Sequence, residues 1–262
     1  MKNLTKYIAL LTMVLIFSAS SCKKCQDPAN EKCENYDPCY SKTPFEADFI
    51  MEEVVSSQGS YPFGLADTSY ITDTIVAHVS SSTRLRCTAL GDYDSYHWQI
   101  GSDPTIFTTK SFTQYFDYPV NVWVTLIATR KPDTLCFPND DGIDTVKKRL
   151  VAVPRSQSLV FGNYFGSSTQ KPDSNYSVNV EVCPSQSEGF RVNGLAKCEL
   201  TFGCNNGGGV GYRGAFFRNN ESSVCQQAGF LFYNKPTNKL TIKYQQFTVN
   251  QGQTNYYSGL KQ

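Results

Sequence analysis

The clearest alternation of apolar and polar positions runs from Val120 to Thr129. Val120, Val122, Val124, Leu126 and Ala128 fall on one side, with Asn121, Trp123, Thr125 and Thr129 on the other. Successive side chains of a strand point to opposite faces, so this segment predicts a half-buried β-strand. "TSYITDTIVAHVSSS" (68–82), "TRLRCTAL" (83–90) and "DTVKKRLVAVP" (144–154) repeat the pattern over shorter runs. Gly91-Asp92, Asp103-Pro104, Lys131-Pro132 and Asp141-Gly142 fall at the breaks, and these residue types end strands in turns. No helical period intervenes. Short strands at this spacing predict a β-sandwich over residues 45–154.

Residues 155–158, following Pro154, read as a hinge. The alternation then resumes in "YSVNVEVC" (176–183), with Val178, Val180 and Val182 inward, and in "FRVNGL", "CELTF", "RGAFF", "GFLFYN", "KLTIKYQQFTV" and "YYSGLK". Lys235-Pro236-Thr237-Asn238 is the turn of a hairpin. This number of short strands predicts a small antiparallel β-barrel or closed sandwich over residues 159–262. The fold class is all-β throughout.

The amino end breaks the pattern. Ile8–Phe17 is apolar all round, which suits no surface helix. It is also too short for a span, which needs about 20 residues. Lys2 and Lys6 precede it and Ser18-Ala19-Ser20-Ser21 follow, so residues 1–21 have the parts of a secretory signal peptide. The following residue is Cys22. "SASSC" resembles the lipobox of bacterial lipoproteins, in the looser Bacteroidetes type with serine four places before the cysteine. That resemblance implies a diacylglycerol thioether on Cys22 and attachment to the outer membrane of the cell envelope. It leaves open whether the protein faces the periplasm or the cell surface. Residues 22–44 show no apolar period and hold Pro28, Pro38 and Pro44. They read as a tether that could reach ~70 Å if extended at about 3.3 Å per residue.

Charge narrows the partners. The net charge of +1 gives no electrostatic case for nucleic acid. Ten cysteines in an exported chain read as disulfides. Cys183, Cys198, Cys204 and Cys225 share one predicted domain and would close two bridges there. Cys87 and Cys136 are the mid-chain candidates. Cys25, Cys33 and Cys39 form an odd group once Cys22 carries lipid.

"YHWQIGSD" (Tyr96–Asp103) resembles the Tyr-x-Trp-x-Phe-Gly-Asp-Gly signature of PKD domains, which are Ig-like sandwiches. Tyr96, Trp98 and Gly101 match, Ile100 replaces the aromatic residue, and Ser102-Asp103 replace Asp-Gly. Val124-x-Leu126 fits the family's later strand, although Val120 and Val122 stand where Gly and Tyr occur. The resemblance covers residues 45–154. It implies an Ig-like/PKD-like sandwich with Trp98 in its core, and an adhesive or spacer role. The second domain is similar, without a diagnostic motif, to lipocalin-like carboxy-terminal domains of Bacteroidetes-type lipoproteins.

Several motifs were weighed for chemistry. "GVGYRG" (209–214) spells G-x-G-x-x-G, but the dinucleotide fingerprint needs a strand before it and a helix after it. Asp140, Asp141 and Asp144 cluster around Gly142, a set that calcium could use and that an ordinary turn also uses. His78 and His97 do not have zinc-site spacing, and His97 should face away from Trp98. No cofactor beyond calcium is implied. Tyr164, Phe165, Tyr212, Phe216, Phe217, Tyr256 and Tyr257 either fill the barrel or bind, and Tyr212, beside the glycine-rich loop, is the candidate ligand contact. No nucleophile motif is present. The function expected is non-catalytic binding or display at the envelope, with a glycan or another envelope protein as partner. Carbohydrate capture for a glycan-uptake system is the alternative, and an enzyme of unrecognised type the second.

Overall fold

The computed structural model describes residues 25–55, 68–77, 83–183, 190–195, 209–219, 227–246 and 254–262. Residues 1–21, Cys22, His78, Cys198, Cys204 and Cys225 lie outside the described residues. The chain is all-β, with strands β1 Phe49–Val55, β2 Thr68–Ile71, β3 Thr74–Val76, β4 Thr83–Ala89, β5 Ser95–Ile100, β6 Ser111–Gln114, β7 Val120–Thr129 and β8 Ile143–Val153 in its first part. They form two four-stranded sheets, ordered β2-β1-β4-β6 and β3-β8-β7-β5. The predicted alternation holds in β7, where Val124, Leu126 and Ala128 are buried and Asn121 and Trp123 exposed. Trp98 is fully buried, edge-on to Phe49 and Phe112 at ring-centroid distances of 5.2 Å. Its indole N–H donates to the Thr109 carbonyl at 2.8 Å. His97, one residue earlier on β5, is exposed on the other face.

The second part comprises β9 Gly162–Ser168, β10 Lys171–Val182, β11 Phe190–Asn193, β12 Gly214–Asn219, β13 Gln227–Asn234, β14 Lys239–Gln246 and β15 Thr254–Lys261. These make one antiparallel sheet, ordered β11-β10-β9-β15-β14-β13-β12. It is curled nearly closed, so that residues of both edge strands, such as Val192 and Phe217, share a core with Tyr164, Leu231, Ile242 and Tyr257. Fully burying a large apolar side chain is worth roughly 1.5–3 kcal/mol. Most of the tyrosines and phenylalanines named above are spent in this way. Tyr164, Phe217 and Tyr257 line the interior, and Phe216 is buried on the outer side. The Tyr257 hydroxyl donates to the Tyr164 carbonyl at 3.1 Å, which answers the need of a buried O–H for a partner. Phe165 and Tyr256 are exposed.

Two compact units make up the chain. One holds the residues up to Glu46 together with Lys131–Ile143, and the other Ala47–Arg130 with Asp144–Gln262. In the first, the segment expected to be an open tether is wound into turns. A Cys25–Cys33 disulfide closes one turn, and Cys39 is bonded to Cys136 across a sequence separation of 97. Lys42 pairs with Asp133 at 2.9 Å beside it. This corrects the pairing proposed from sequence. Cys87 is a buried free thiol within β4, its side chain turned into the sandwich core, while Cys136 lies in the β7–β8 loop and meets Cys39. Each of Cys25, Cys33 and Cys39, the odd group in sequence, thereby has a disulfide partner.

The larger unit holds both the sandwich and the curled sheet. The predicted hinge is a single 3-10 turn, Arg155–Gln157, and Ser158 after it is buried, its hydroxyl donating to the Gly211 carbonyl at 2.5 Å.

Candidate functional site

Two places in the larger unit concentrate polar chemistry. The first is where sandwich and curled sheet meet. In β1, Phe49, Met51, Glu53 and Val55 share the buried face, so alternation drives a carboxyl into the interior. Glu53 is 0% exposed. Its Oε1 accepts the Val76 N–H at 2.8 Å and its Oε2 the Tyr212 N–H at 2.6 Å. Oε2 also accepts the Tyr70 hydroxyl. The Tyr70 oxygen in turn accepts the Arg213 and Gly214 N–H groups at 2.7 and 3.1 Å, which leaves its own proton for Glu53. The Arg213 guanidinium lies over the Tyr70 ring, 4.9 Å from its centroid, and donates to the Ile71 carbonyl at 2.9 Å. Burial pushes the Glu53 carboxyl up to about 7, against the pull of these donors and of Arg213. Val55, Tyr70 and Phe216 pack around it with Phe230 and Phe232.

The glycine motif belongs to this junction. A Cβ on Gly211 would lie 2.6 Å from Glu53 Oε2, so the spacing serves a close backbone approach and not a phosphate cradle. Tyr212, the candidate ligand contact, is half-buried, and its carbonyl accepts the Leu159 N–H at 2.8 Å. Its backbone is thus committed to the join. With its donors satisfied and no exposure, the Glu53 cluster is a structural clasp.

The second place is an open hollow of about 440 Å³ at one end of the sandwich. It lies between the turn after β5 and the segment joining β6 to β7. Gly101 makes that turn with φ +54°, a conformation that favours glycine, and its N–H donates to the Trp123 carbonyl at 2.8 Å. Ile100, Val120 and Val122 form the apolar floor, while Asp103, Tyr115, Asp117 and Tyr118 stand at the walls. Asp103 accepts the Thr105 N–H at 2.8 Å, and that bond holds its carboxyl below the usual range. Tyr118 is 69% exposed and Tyr115 41%. Loops carried on a rigid sheet are where binding residues concentrate, and this hollow is built that way.

The calcium candidates do not assemble. Asp140 accepts the Asp133 and Gly142 N–H groups, Asp141 that of Ile143, and Asp144 those of Ala47 and Thr145. Among the described residues no group of three His, Cys, Asp or Glu side chains could hold a metal ion. Asp140 and Asp141 cap turns by accepting the N–H two residues on, while Asp144 accepts the N–H groups of its neighbour Thr145 and of the distant Ala47. A second hollow, in the smaller unit, is lined by Pro44, Phe45, Phe137 and Pro138 beside Asp140 and Asp141. Cys183 is disulfide-bonded, and the other three cysteines of its predicted group lie outside the described residues.

Sequence reasoning missed Glu53 and the hollow. Both had a signal: a glutamate in phase with an apolar face in "FIMEEVV", and the dense aromatic run "FTQYFDYP" between two strands. The chain matches no known family, no curated protein and no solved structure.

Proposed function

We propose that the protein is a non-catalytic, lipid-anchored binding module of the cell envelope, held to the outer membrane through Cys22 and binding its partner at the hollow above β7. The observation that carries this reading is the hollow itself. It is open, floored by strand residues, and walled by exposed tyrosines that offer apolar area with a polar tip. The anchor rests on "SASSC" and the charged, short apolar leader before it. Only two residues separate Cys22 from the first disulfide cysteine, about 10 Å of extended chain. β7 begins at the hollow and ends where the chain enters the loop that holds Cys136. The clasp around Glu53 supports a module that presents its sandwich and curled sheet as a single body.

The test uses the full-length mature protein, labelled and titrated onto isolated envelope fragments. Saturable binding that Tyr118→Ala weakens at least about fivefold, roughly 1 kcal/mol, supports the reading. Binding unaffected by Tyr118→Ala would move the site elsewhere, and turnover of a substrate by the purified protein would end the non-catalytic reading.

A further inference from the structure

The hollow's lining has a bias that the binding reading does not use. Its two ionisable groups other than tyrosines are Asp103 and Asp117, and no lysine, arginine or histidine lines it. A carboxylate accepts hydrogen bonds and donates none. The Gln114 side-chain N–H, which could have balanced them, donates to the Tyr115 carbonyl at 3.1 Å. The second N–H of the Gln114 amide and the hydroxyls of Ser102, Tyr115 and Tyr118 are the remaining side-chain donors. The site is thus rich in acceptors and negative, with three aromatic rings, Tyr115, Phe116 and Tyr118, along one segment.

We infer that the hollow binds an arginine side chain on a partner polypeptide. The inference rests on the binding reading above and adds the chemistry of the ligand. A guanidinium is planar, carries five donors and no acceptor, and stacks on aromatic faces. Those are the complements of this lining: carboxylates for its N–H groups, tyrosine rings for its flat face, and Ile100, Val120 and Val122 for its methylene stem. A neutral sugar can donate its hydroxyls to the same carboxylates but brings no charge to offset theirs. An acidic ligand meets two like charges.

The test is isothermal titration of the full-length mature protein with acetyl-tetra-arginine amide, its citrulline counterpart, and maltotetraose. Citrulline keeps the shape of arginine and removes the charge. The arginine peptide is expected to bind at least about tenfold more tightly than the citrulline peptide at ~50 mM salt, the gap shrinking as salt screens it. Asp103→Asn, Asp117→Asn and Tyr118→Ala should each weaken the arginine peptide about threefold to fivefold, amounts ordinary for exposed pairs and ring contacts. All three positions are on exposed loops, and unchanged thermal midpoints would confirm that the variants fold. Equal binding of arginine and citrulline peptides would overturn the inference. So would binding of maltotetraose that depends on Tyr118 while the arginine peptide fails, an outcome that leaves the binding reading standing. Failure of all three probes alongside Tyr118-dependent binding to envelope fragments would also sink the arginine assignment alone.

Discussion

Glu53 occupies the face of β1 that Phe49, Met51 and Val55 fill with apolar groups. Its folded carboxyl titrates near 7, against an ordinary 4.5, because burial penalises the charge. Below about pH 4.5 the acid is protonated in folded and unfolded chains alike, and its contribution to stability is fully present. As pH rises toward 7 the unfolded group ionises while the folded one keeps its proton. Stability is then lost at up to about 1.4 kcal/mol per pH unit, and the slope vanishes above 7. Denaturant unfolding at pH 5, 6 and 7 should show this slope in the wild type and a flatter one in Glu53→Gln. The variant should also be less stable overall by about 1–3 kcal/mol, since an amide nitrogen would face a backbone N–H where an oxygen accepted it. Equal slopes in both proteins would show that Glu53 is not the titrating group. Cys87 is the other buried reactive group, its thiol pushed up to about 12 by burial. Native protein should leave it unlabelled by iodoacetamide, and denatured protein should label it, as peptide mapping would read out. At this scale the sequence was only partly legible. Trp98 could be placed in the core because its neighbours alternate around it. The three aspartates could not be separated from a metal site, because turn-capping and calcium binding draw on the same residue types. The pairing of Cys136 was hidden for a different reason: its partner lies 97 residues away and composition carries no distance.

Among the elements, the strands were the easiest to read, since the side chains of β7 and of the second half of β10 declare their faces by parity. The segments between were harder. The expected hinge after Pro154 became a packed turn because Ser158 and Leu159 find partners in the Gly211-Tyr212 backbone, a contact about fifty residues off in sequence. The expected tether became a stapled lobe because Cys39 reaches Cys136. Non-reducing peptide mapping should recover Cys39 joined to Cys136 and Cys25 to Cys33. A Cys87–Cys136 peptide would contradict the fold described here. Closing a loop of this length stabilises by about 4–5 kcal/mol in the chain-entropy account. Cys39→Ser/Cys136→Ser should accordingly lower the unfolding free energy by some fraction of that amount, measured at fixed pH by denaturant titration.

On the scale of the whole molecule, the composition pointed to β-structure, and the all-β fold follows from alternation repeated in one strand after another. How sandwich and curled sheet join was not legible. The join depends on one glutamate, one tyrosine and a glycine turn that come together only when β1, β2 and the segment before β12 are in place. The proposed function stands on the loop-built hollow that begins at Val120. Anchoring at Cys22 is the other premise of the proposed function. Two acyl chains, at ~0.8 kcal/mol per buried CH₂, hold a protein on a bilayer where a single chain binds reversibly. Mass spectrometry of the mature amino-terminal peptide from the membrane fraction is the most direct measurement. The account predicts a peptide beginning at Cys22 and carrying a diacylglyceryl group, and its loss from membranes in Cys22→Ser. A mature terminus at any other residue, unmodified, would contradict it.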